Sequence, residues 1–282
     1  MRRTGWNYRA GREGEIGVHT DRKKVVVLLP TYNEREVLER FVGQVLGQQC
    51  ELDGHDLQVL IVDSHSPDGT AALARQLAER DSRISVLEVP QRGLGMALYE
   101  GYRHSLAELQ PDVLAQIDAD GQAGVEVLPR LLRAIDGGCD LALGSRFVEG
   151  GRNELPLHRR LFSIGSSMVF RALSGQRAAR EVTNMARAFT PALYQRMATD
   201  RLPWKERSFI VLPAFLDEAL KAGASCREVP LVFKDRAQGY SKNQVLGYIY
   251  DMLAYCLDAR LRRMGLGIPL FSWSRKLRRD YS

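Results

Sequence analysis

Residues 25–46 read VVVLLPTYNEREVLERFVGQVL. The first five of these residues form a continuous apolar run, which is typical of a strand buried on both faces of a parallel sheet. Asn33 and Glu34 follow, and apolar residues then recur with helical spacing until Gly47. The stretch therefore predicts one strand followed by one helix.

The same alternation continues along the chain. It predicts strands at Leu57–Val62, Ile84–Glu88, Val113–Ile117 and Leu141–Leu143, and helices at Ala71–Arg80, Leu94–Leu109 and Val127–Ile135. Strands that alternate with helices predict a mostly parallel α/β sheet covered by helices on both faces. Ligands of such sheets bind at the carboxyl ends of the strands. We therefore expect the chemistry in the loops that open at Pro30, Asp63, Asp118 and Gly144.

The second half of the chain is more helical. It predicts helices at Arg160–Leu173 and Phe215–Ala222, a last strand at Glu228–Phe233 and an amphipathic helix over residues 243–263. No linker rich in Pro, Gly or Ser and no internal repeat divides the chain. We expect one main domain with a helical C-terminal appendage, residues 243–282, preceded by a loose leader over residues 1–22.

Composition narrows the class of protein. A chain of 282 residues with 45% hydrophobic content can bury a sizeable core. Its apolar runs are strand-sized, far short of the roughly 20 residues of a membrane-spanning helix. The four cysteines lie far apart without metal-ligand spacing, which predicts neither disulfides nor a zinc site and fits the cytoplasm. The formal charge of +6 suits an anionic partner: nucleic acid, an anionic membrane or a phosphorylated small molecule.

Two carboxylates, Asp118 and Asp120, directly follow the apolar strand Val113–Ile117, and Gln122 lies two residues further on. Oxygen ligands of this kind select a hard divalent cation such as Mg or Mn. A solvated turn after a strand would have the same appearance. The position at a strand end, together with the motifs described next, favours the metal site.

Five motifs carry a resemblance. They are LPTYNE at residues 29–34, VDSHSPDGT at 62–70, GLG at 93–95, DADGQ at 118–122 and GSR at 144–146, in the order seen in family 2 glycosyltransferases. The subgroup that they most resemble is the dolichyl- or polyprenyl-phosphate mannose synthases, over residues 24–242. The resemblance implies a GT-A fold, with residues 23–242 as the catalytic domain. It also implies metal-dependent, inverting transfer of a sugar, mannose from GDP-mannose being favoured, onto a polyprenyl phosphate.

The resemblance also implies roles for particular residues. Donor-binding residues are expected at Pro30, Tyr32, Glu34, Asp63, Asp118, Arg236 and Lys242; metal ligands at Asp118, Asp120 and Gln122; and catalytic or acceptor-phosphate contacts at Asp120, Arg146, Arg159 and Ser163. Simpler roles stay open for several neighbours. Asn33 and Asp68 fit helix caps, Gly93 and Gly95 fit tight helix packing, and Arg159 fits a solvated helix start.

The chain departs from the family pattern in three places. Ser64 stands where the family has a second aspartate, Gln91-Arg92 stands where a lysine is usual, and residues 181–189 lack the family's Ser-Gly pair. These departures keep three alternatives open: a UDP-sugar donor, a soluble natural-product acceptor, and, less favoured, a nucleotide-sugar binding protein without activity. Residues 208–213 hold no carboxylate where related sequences often have a catalytic base. An acceptor that is already ionised, such as a phosphate monoester, needs no base.

The C-terminal appendage predicts contact with an anionic membrane surface. Basic residues close the amphipathic helix and recur around Phe271 and Trp273, a pairing that suits lipid headgroups. The alternative is that the helix packs on the domain and the tail is solvated. Nucleic acid is not an expected partner, since no binding motif and no interleaved aromatic residues accompany the basic residues.

Overall fold

The computed structural model describes residues 22–204, 209–234 and 245–264. Within them the strands are β1 (Lys23–Thr31), β2 (His55–Asp63), β3 (Ile84–Glu88), β4 (Val113–Gln116), β5 (Leu141–Ser145), β6 (Arg152–Asn153), β7 (Arg187–Phe189), β8 (Cys226–Pro230) and β9 (Val232–Phe233). The helices are α1 (Arg35–Gly47), α2 (Thr70–Arg80), α3 (Leu94–His104), α4 (Val127–Asp136), α5 (Leu157–Ser174), α6 (Pro191–Arg196), α7 (Val211–Lys221) and α8 (Val245–Arg263). A π-helical turn at Ser105–Leu109 prolongs α3.

Seven strands form the central sheet in the order β3-β2-β1-β4-β7-β5-β8. All pairings are parallel except those of β7, which runs antiparallel to β4 and to β5. The predicted α/β architecture with a mostly parallel sheet is therefore confirmed. The sequence did not indicate β7, because three residues are too few to show an alternating pattern.

Helices cover both faces of the sheet, as predicted. The residues of β1 alternate between the two cores: Val25, Val27 and Leu29 face α1, α2 and α4, while Val26 and Leu28 face α3 and α7. All five are fully buried. A strand buried on both faces has no polar side, which is why its sequence reads as one apolar run.

The predicted strand Glu228–Phe233 is two strands. Residues up to Pro230 pair with β5, whereas Val232 and Phe233 pair with β6 in a separate two-stranded sheet. Pro230 has no amide hydrogen to donate, and this favours a change of partner at that point. The chain thereby leaves the main sheet beside the carboxyl end of β5.

The helix α8 packs on the domain and also carries an exposed apolar side. Tyr255 is buried, its ring stacks on Phe170 of α5 with 6.1 Å between centroids, and its hydroxyl donates to Asp217 of α7. Leu253 and Leu257 are exposed on the other side. No described helix is long and apolar enough to cross a membrane.

Candidate active site

The carboxyl ends of the parallel strands share one edge of the sheet. Thr31 at the end of β1 lies beside Asp63 at the end of β2, and Leu28 lies opposite Gln116 of β4. The loops that follow these strands therefore begin side by side. This edge brings together the segments that were predicted to bind the donor and the metal.

The turn after β4 presents two half-buried carboxylates, Asp118 and Asp120. Gly121 has φ of 72°, which lets the chain reverse, and the amide of Gln122 donates to Oδ1 of Asp120 at 3.0 Å. Gln122 is itself fixed, because its Nε2 donates to the carbonyl of Lys234 at 3.2 Å. No group of three or more His, Cys, Asp or Glu side chains converges anywhere in the described part of the chain. Two carboxylates suit a hard cation whose remaining coordination positions are filled by water or phosphate oxygens.

The loop after β1 is tied to the loop after β2. The amide of Asn33 donates to the hydroxyl of Ser66 at 3.0 Å, and the amide of Glu34 donates to the hydroxyl of Thr70 at 3.1 Å. Glu34, not Asn33, is the N-cap position of α1, so the alternative role of Asn33 as a helix cap is wrong. Tyr32 and Glu34 thus lie in a turn that these two hydrogen bonds fix to the loop after β2.

Tyr32 lies under an arginine from the loop after β3. The guanidinium carbon of Arg92 is 4.1 Å from the centroid of the Tyr32 ring, a cation–π contact. Arg92 belongs to the Gln91-Arg92 pair that departs from the family pattern. The departure therefore places a cation against the aromatic ring predicted to hold the nucleotide.

The two aspartates of the 63–68 loop have different surroundings. Asp63 is fully buried, and both carboxylate oxygens accept from the amide of Ser66. Burial raises the pKa of Asp63, and the hydrogen bonds from Ser66 offset only part of this rise. Asp63 thus orders its own loop in this conformation.

Asp68 joins the starts of two helices, although Gly69 and not Asp68 is the N-cap position of α2, so the alternative role of Asp68 as the N-cap is wrong. Its Oδ1 accepts from the amide of Thr70 at 3.0 Å, and its Oδ2 accepts from the amide of Arg35 at 3.3 Å. Burial acts to raise the pKa of Asp68, but the hydrogen bonds outweigh it and the pKa is lowered. A carboxylate at two helix starts also suits the helix dipoles.

The glycines of the 93–95 motif serve the backbone and packing. Gly93 has φ of 147°, which disfavours a side chain, and a Cβ on Gly95 would lie 2.1 Å from the carbonyl oxygen of Trp204. The packing interpretation of Gly95 is therefore sufficient to explain it.

Arg146, which follows β5, is buried in an ion pair. Its Nε and Nη2 donate to the two carboxylate oxygens of Glu181 at 2.7 and 2.8 Å, and Nη2 also donates to Thr183 at 2.9 Å. Phe233 lies on its guanidinium, with 5.0 Å between Cζ and the ring centroid. Glu181 thus neutralises much of the charge that we expected for an acceptor phosphate. Nothing in the sequence indicated this partner, because Glu181 lies 35 residues away in the segment that departs from the family pattern.

Glu181 is held by a second carboxylate that the sequence did not single out. The two oxygens of Glu228 on β8 accept from the amides of Arg180 and Glu181, each at 2.8 Å. Further along the segment, Arg187 is buried and donates to the carbonyls of Asn184 and Leu212. These hydrogen bonds therefore hold residues 181–187 in place beside Arg146.

A cavity of about 410 Å³ lies in front of Arg146. Its lining consists of Arg146, Phe147, Gly151, Arg152, Asn153, Glu154, Arg160 and Ile164. Arg159 is half-buried and Ser163 is buried, and neither is among the described residues that line the cavity. The predicted donor-side residues Arg236 and Lys242 lie outside the described residues.

An exposed apolar surface begins at this cavity. It consists of Leu157, Leu161, Ile164 and Met168 on α5, of Tyr250, Leu253 and Leu257 on α8, and of Met264 directly after α8. The two helices lie against each other, and Ile164 belongs both to the cavity lining and to the apolar surface. A cavity lined by three arginines and Glu154 thus opens beside exposed apolar side chains of α5 and α8.

Comparisons with known proteins agree with this geometry. The profile of Glycosyl transferase family 2 matches residues 26–202. Polyprenol monophosphomannose synthase of Mycolicibacterium smegmatis is 36% identical over 223 residues, which cover 78% of this chain and 81% of that protein. Dolichol-phosphate mannosyltransferase of Pyrococcus furiosus is 33% identical over 221 residues, which cover 78% of this chain but only 59% of that longer protein.

Among solved structures, the glucosyl-3-phosphoglycerate synthase of Mycobacterium tuberculosis, crystallised with Mn²⁺, UDP and phosphoglyceric acid, has a TM-score of 0.59 to this chain. It is 19% identical, and the match covers 92% of this chain and 85% of that chain. The likeness supports the predicted GT-A fold. Since the family profile spans well over half of the sequence and relatives at 33% and 36% identity cover 78% of it, the chain belongs to glycosyl transferase family 2.

Proposed function

We propose that this chain transfers mannose from GDP-mannose to a polyprenyl phosphate, with inversion at the sugar. The observation that carries this proposal is the basic cavity that opens beside the apolar surface. An acceptor with a phosphate head and a hydrocarbon chain matches both features, since its phosphate suits the arginines of the cavity and its chain suits the apolar surface. The two relatives are named polyprenol monophosphomannose synthase and dolichol-phosphate mannosyltransferase, and these names support the same acceptor class.

The donor is assigned to the edge formed by the ends of β1, β2 and β4. Asp118 and Asp120 would hold a divalent Mg or Mn ion, with Gln122 beside them. When bound, such an ion neutralises charge on a leaving diphosphate as a Lewis acid. Tyr32 and Glu34 are assigned to the nucleotide, and Arg236 and Lys242 stay predicted donor contacts.

The acceptor phosphate is assigned to the cavity, with Arg152 and Arg160 as its exposed cations. Arg146 is largely committed to Glu181, so it shapes the cavity wall and contributes less net charge. Arg159 and Ser163 stay predicted contacts on the same helix. Guanidinium groups remain charged at physiological pH and match phosphate oxygens.

The proposed acceptor explains why a catalytic base is not needed. A phosphate monoester has a second pKa near 6 and is largely ionised at pH 7. The described residues 209–213, where related sequences often have the base, are Phe, Ile, Val, Leu and Pro. Nearby on α7, Asp217 and Glu218 are buried and paired with Lys221. An ionised phosphate can attack the sugar directly, and no covalent enzyme intermediate is required.

The apolar surface is assigned to an anionic bilayer, from which the acceptor would enter the cavity. Its occupant should be lipid because arginines flank it: Arg160 borders it on α5 and Arg260 is exposed on α8. Apolar side chains rimmed by arginines suit an interfacial position. The protein would then work at the membrane surface, on the cytoplasmic side if the donor is cytoplasmic.

A liposome experiment tests both assignments together. We expect wild type to float with liposomes, and to bind more tightly when undecaprenyl phosphate replaces an equal charge of phosphatidylglycerol. Arg160→Ala should weaken the gain from undecaprenyl phosphate by about 10- to 150-fold, the effect of losing one charge-assisted contact. The double variant Leu161→Glu/Leu257→Glu should lose flotation with both kinds of liposome, since charge on the apolar surface opposes insertion.

Arg177→Ala is the matched control, because Arg177 is exposed beyond the opposite end of α5. It should bind as wild type does. If undecaprenyl phosphate binds no better than phosphatidylglycerol, the acceptor assignment fails. If the double variant floats normally, the bilayer is not the occupant of the apolar surface.

A further inference from the structure

The short strand β9 is hydrogen-bonded along both of its edges. On one edge it meets the cavity wall: the amide of Arg152 donates to Leu231 at 2.9 Å, and the amide of Glu154 donates to Phe233 at 2.8 Å. On the other edge, Phe233 forms an antiparallel bridge with Ala123. Ala123 directly follows residues 118–122, which carry the predicted metal ligands and are called the metal turn below. One strand therefore separates the proposed acceptor cavity from the proposed metal site.

The end of β9 is joined to the metal turn by two further hydrogen bonds. The amide of Lys234 donates to the carbonyl of Gln122 at 2.9 Å, and the side-chain amide of Gln122 donates to the carbonyl of Lys234 at 3.2 Å. One backbone bond and one side-chain bond, donated in opposite directions, restrict sliding of one segment against the other. The turn that carries Asp120 is thus fixed to β9.

The side chain of Phe233 makes the corresponding link to the cavity. Its half-buried ring packs against the core formed by β1 and α4, and its face meets the guanidinium of Arg146. Arg146 lines the cavity and is braced from behind by Glu181. Phe233 therefore contacts Arg146, a residue that lines the cavity, through its ring, and it contacts the metal turn through its backbone.

We propose that Phe233 is a positioning residue, which sets the distance between a phosphate in the cavity and a cation at Asp118 and Asp120. This inference rests on the proposed function. The rate of a bimolecular step on an enzyme depends steeply on the separation of the reacting atoms, and a displacement of about 1 Å can cost about 10²-fold. Removing the ring leaves the backbone bonds of β9 but frees Arg146 from the strand.

The test measures that distance directly. Farnesyl phosphate is bound to the protein together with GDP and Mn²⁺, and the paramagnetic relaxation of its ³¹P resonance gives the distance from manganese to phosphorus. We expect Phe233→Leu to change or broaden this distance and to lower kcat by about 10- to 100-fold. The affinities for GDP and for farnesyl phosphate should stay close to wild type. Phe233→Met serves as a second variant if Phe233→Leu is poorly folded.

Two controls separate positioning from general damage. Phe233→Tyr keeps the ring and should retain both the distance and kcat. Val232→Ala removes apolar area from the same strand, but Val232 lines a different, smaller cavity of about 180 Å³ with Gly124 and Arg130, so it should also behave as wild type.

An unchanged distance in Phe233→Leu overturns the inference and leaves the proposed function standing. So does a fall in kcat that is accompanied by an equal loss of both affinities. If manganese in the wild type relaxes the GDP phosphorus resonances but not that of farnesyl phosphate, the acceptor assignment fails, and the inference falls with it.

Discussion

Asp120→Asn is expected to leave a folded protein that has lost nearly all transfer activity. The asparagine keeps Oδ1, which accepts from the amide of Gln122, so the turn after β4 should persist. The substitution removes one of the two negative charges that would hold the cation. Loss of a metal worth several kcal/mol of transition-state stabilisation corresponds to about a 100-fold or larger fall in kcat/KM.

The measurement is kcat/KM at saturating Mn²⁺, with the melting temperature as the check on folding. Asp112→Asn is the matched control, since Asp112 lies just before the same strand at the opposite edge of the sheet, where its carboxylate accepts from the backbone amide of Lys24 at 2.8 Å. It should retain activity. Full activity of Asp120→Asn, or of wild type in excess chelator, would show that the metal assignment is wrong.

Arg146→Ala is expected to destabilise the fold severely, by about 3–5 kcal/mol, because it leaves the carboxylate of Glu181 buried without its cation. Both side chains are almost completely buried, at 5% and 1% exposure. Urea denaturation followed by circular dichroism measures the loss. The double variant Arg146→Ala/Glu181→Gln should lose less, since glutamine keeps an acceptor for the neighbouring amides and carries no charge.

The exposed ion pair between Arg80 and Glu39 provides the control. Its side chains are 66% and 63% exposed, so Arg80→Ala should change stability little. Should Arg146→Ala prove as stable as Arg80→Ala, the guanidinium is not a structural partner of Glu181, and its charge is available for the acceptor.

The fold could be predicted from the sequence because most of its strands are recognisable as apolar runs. Strands buried on both faces, such as Val25–Leu29, read as apolar runs, and the intervening helices show a clear apolar face. The structure extends this strand to Lys23–Thr31. Ends of elements are set by hydrogen bonds to neighbours, which periodicity does not record. The short antiparallel strand β7 and the division at Pro230 depend on tertiary pairing in the same way.

The sheet edge that carries the candidate site was also predictable, since the carboxyl ends of parallel strands share one edge by topology alone. The partners of its side chains were not. Arg146 was expected to face a phosphate, whereas its guanidinium donates to both carboxylate oxygens of Glu181, which lies 35 residues away. Arg160 lines the cavity and Arg159 does not, and which of these two neighbours does so depends on the residue at which α5 begins. Phe233 belongs to no sequence motif, and its proposed positioning role follows from contacts that only the structure shows.

Product analysis of the transfer reaction tests the proposed function most directly. The wild-type protein is incubated with Mn²⁺, undecaprenyl phosphate in liposomes, and either GDP-mannose or UDP-glucose, and the lipid fraction is examined by mass spectrometry. We predict mannosyl phosphoryl undecaprenol with stoichiometric release of GDP, and no comparable product from UDP-glucose. A glucosylated lipid formed in preference would overturn the donor assignment. Absence of any glycosylated lipid, with sugar transferred instead to a water-soluble acceptor, would contradict the proposed function itself.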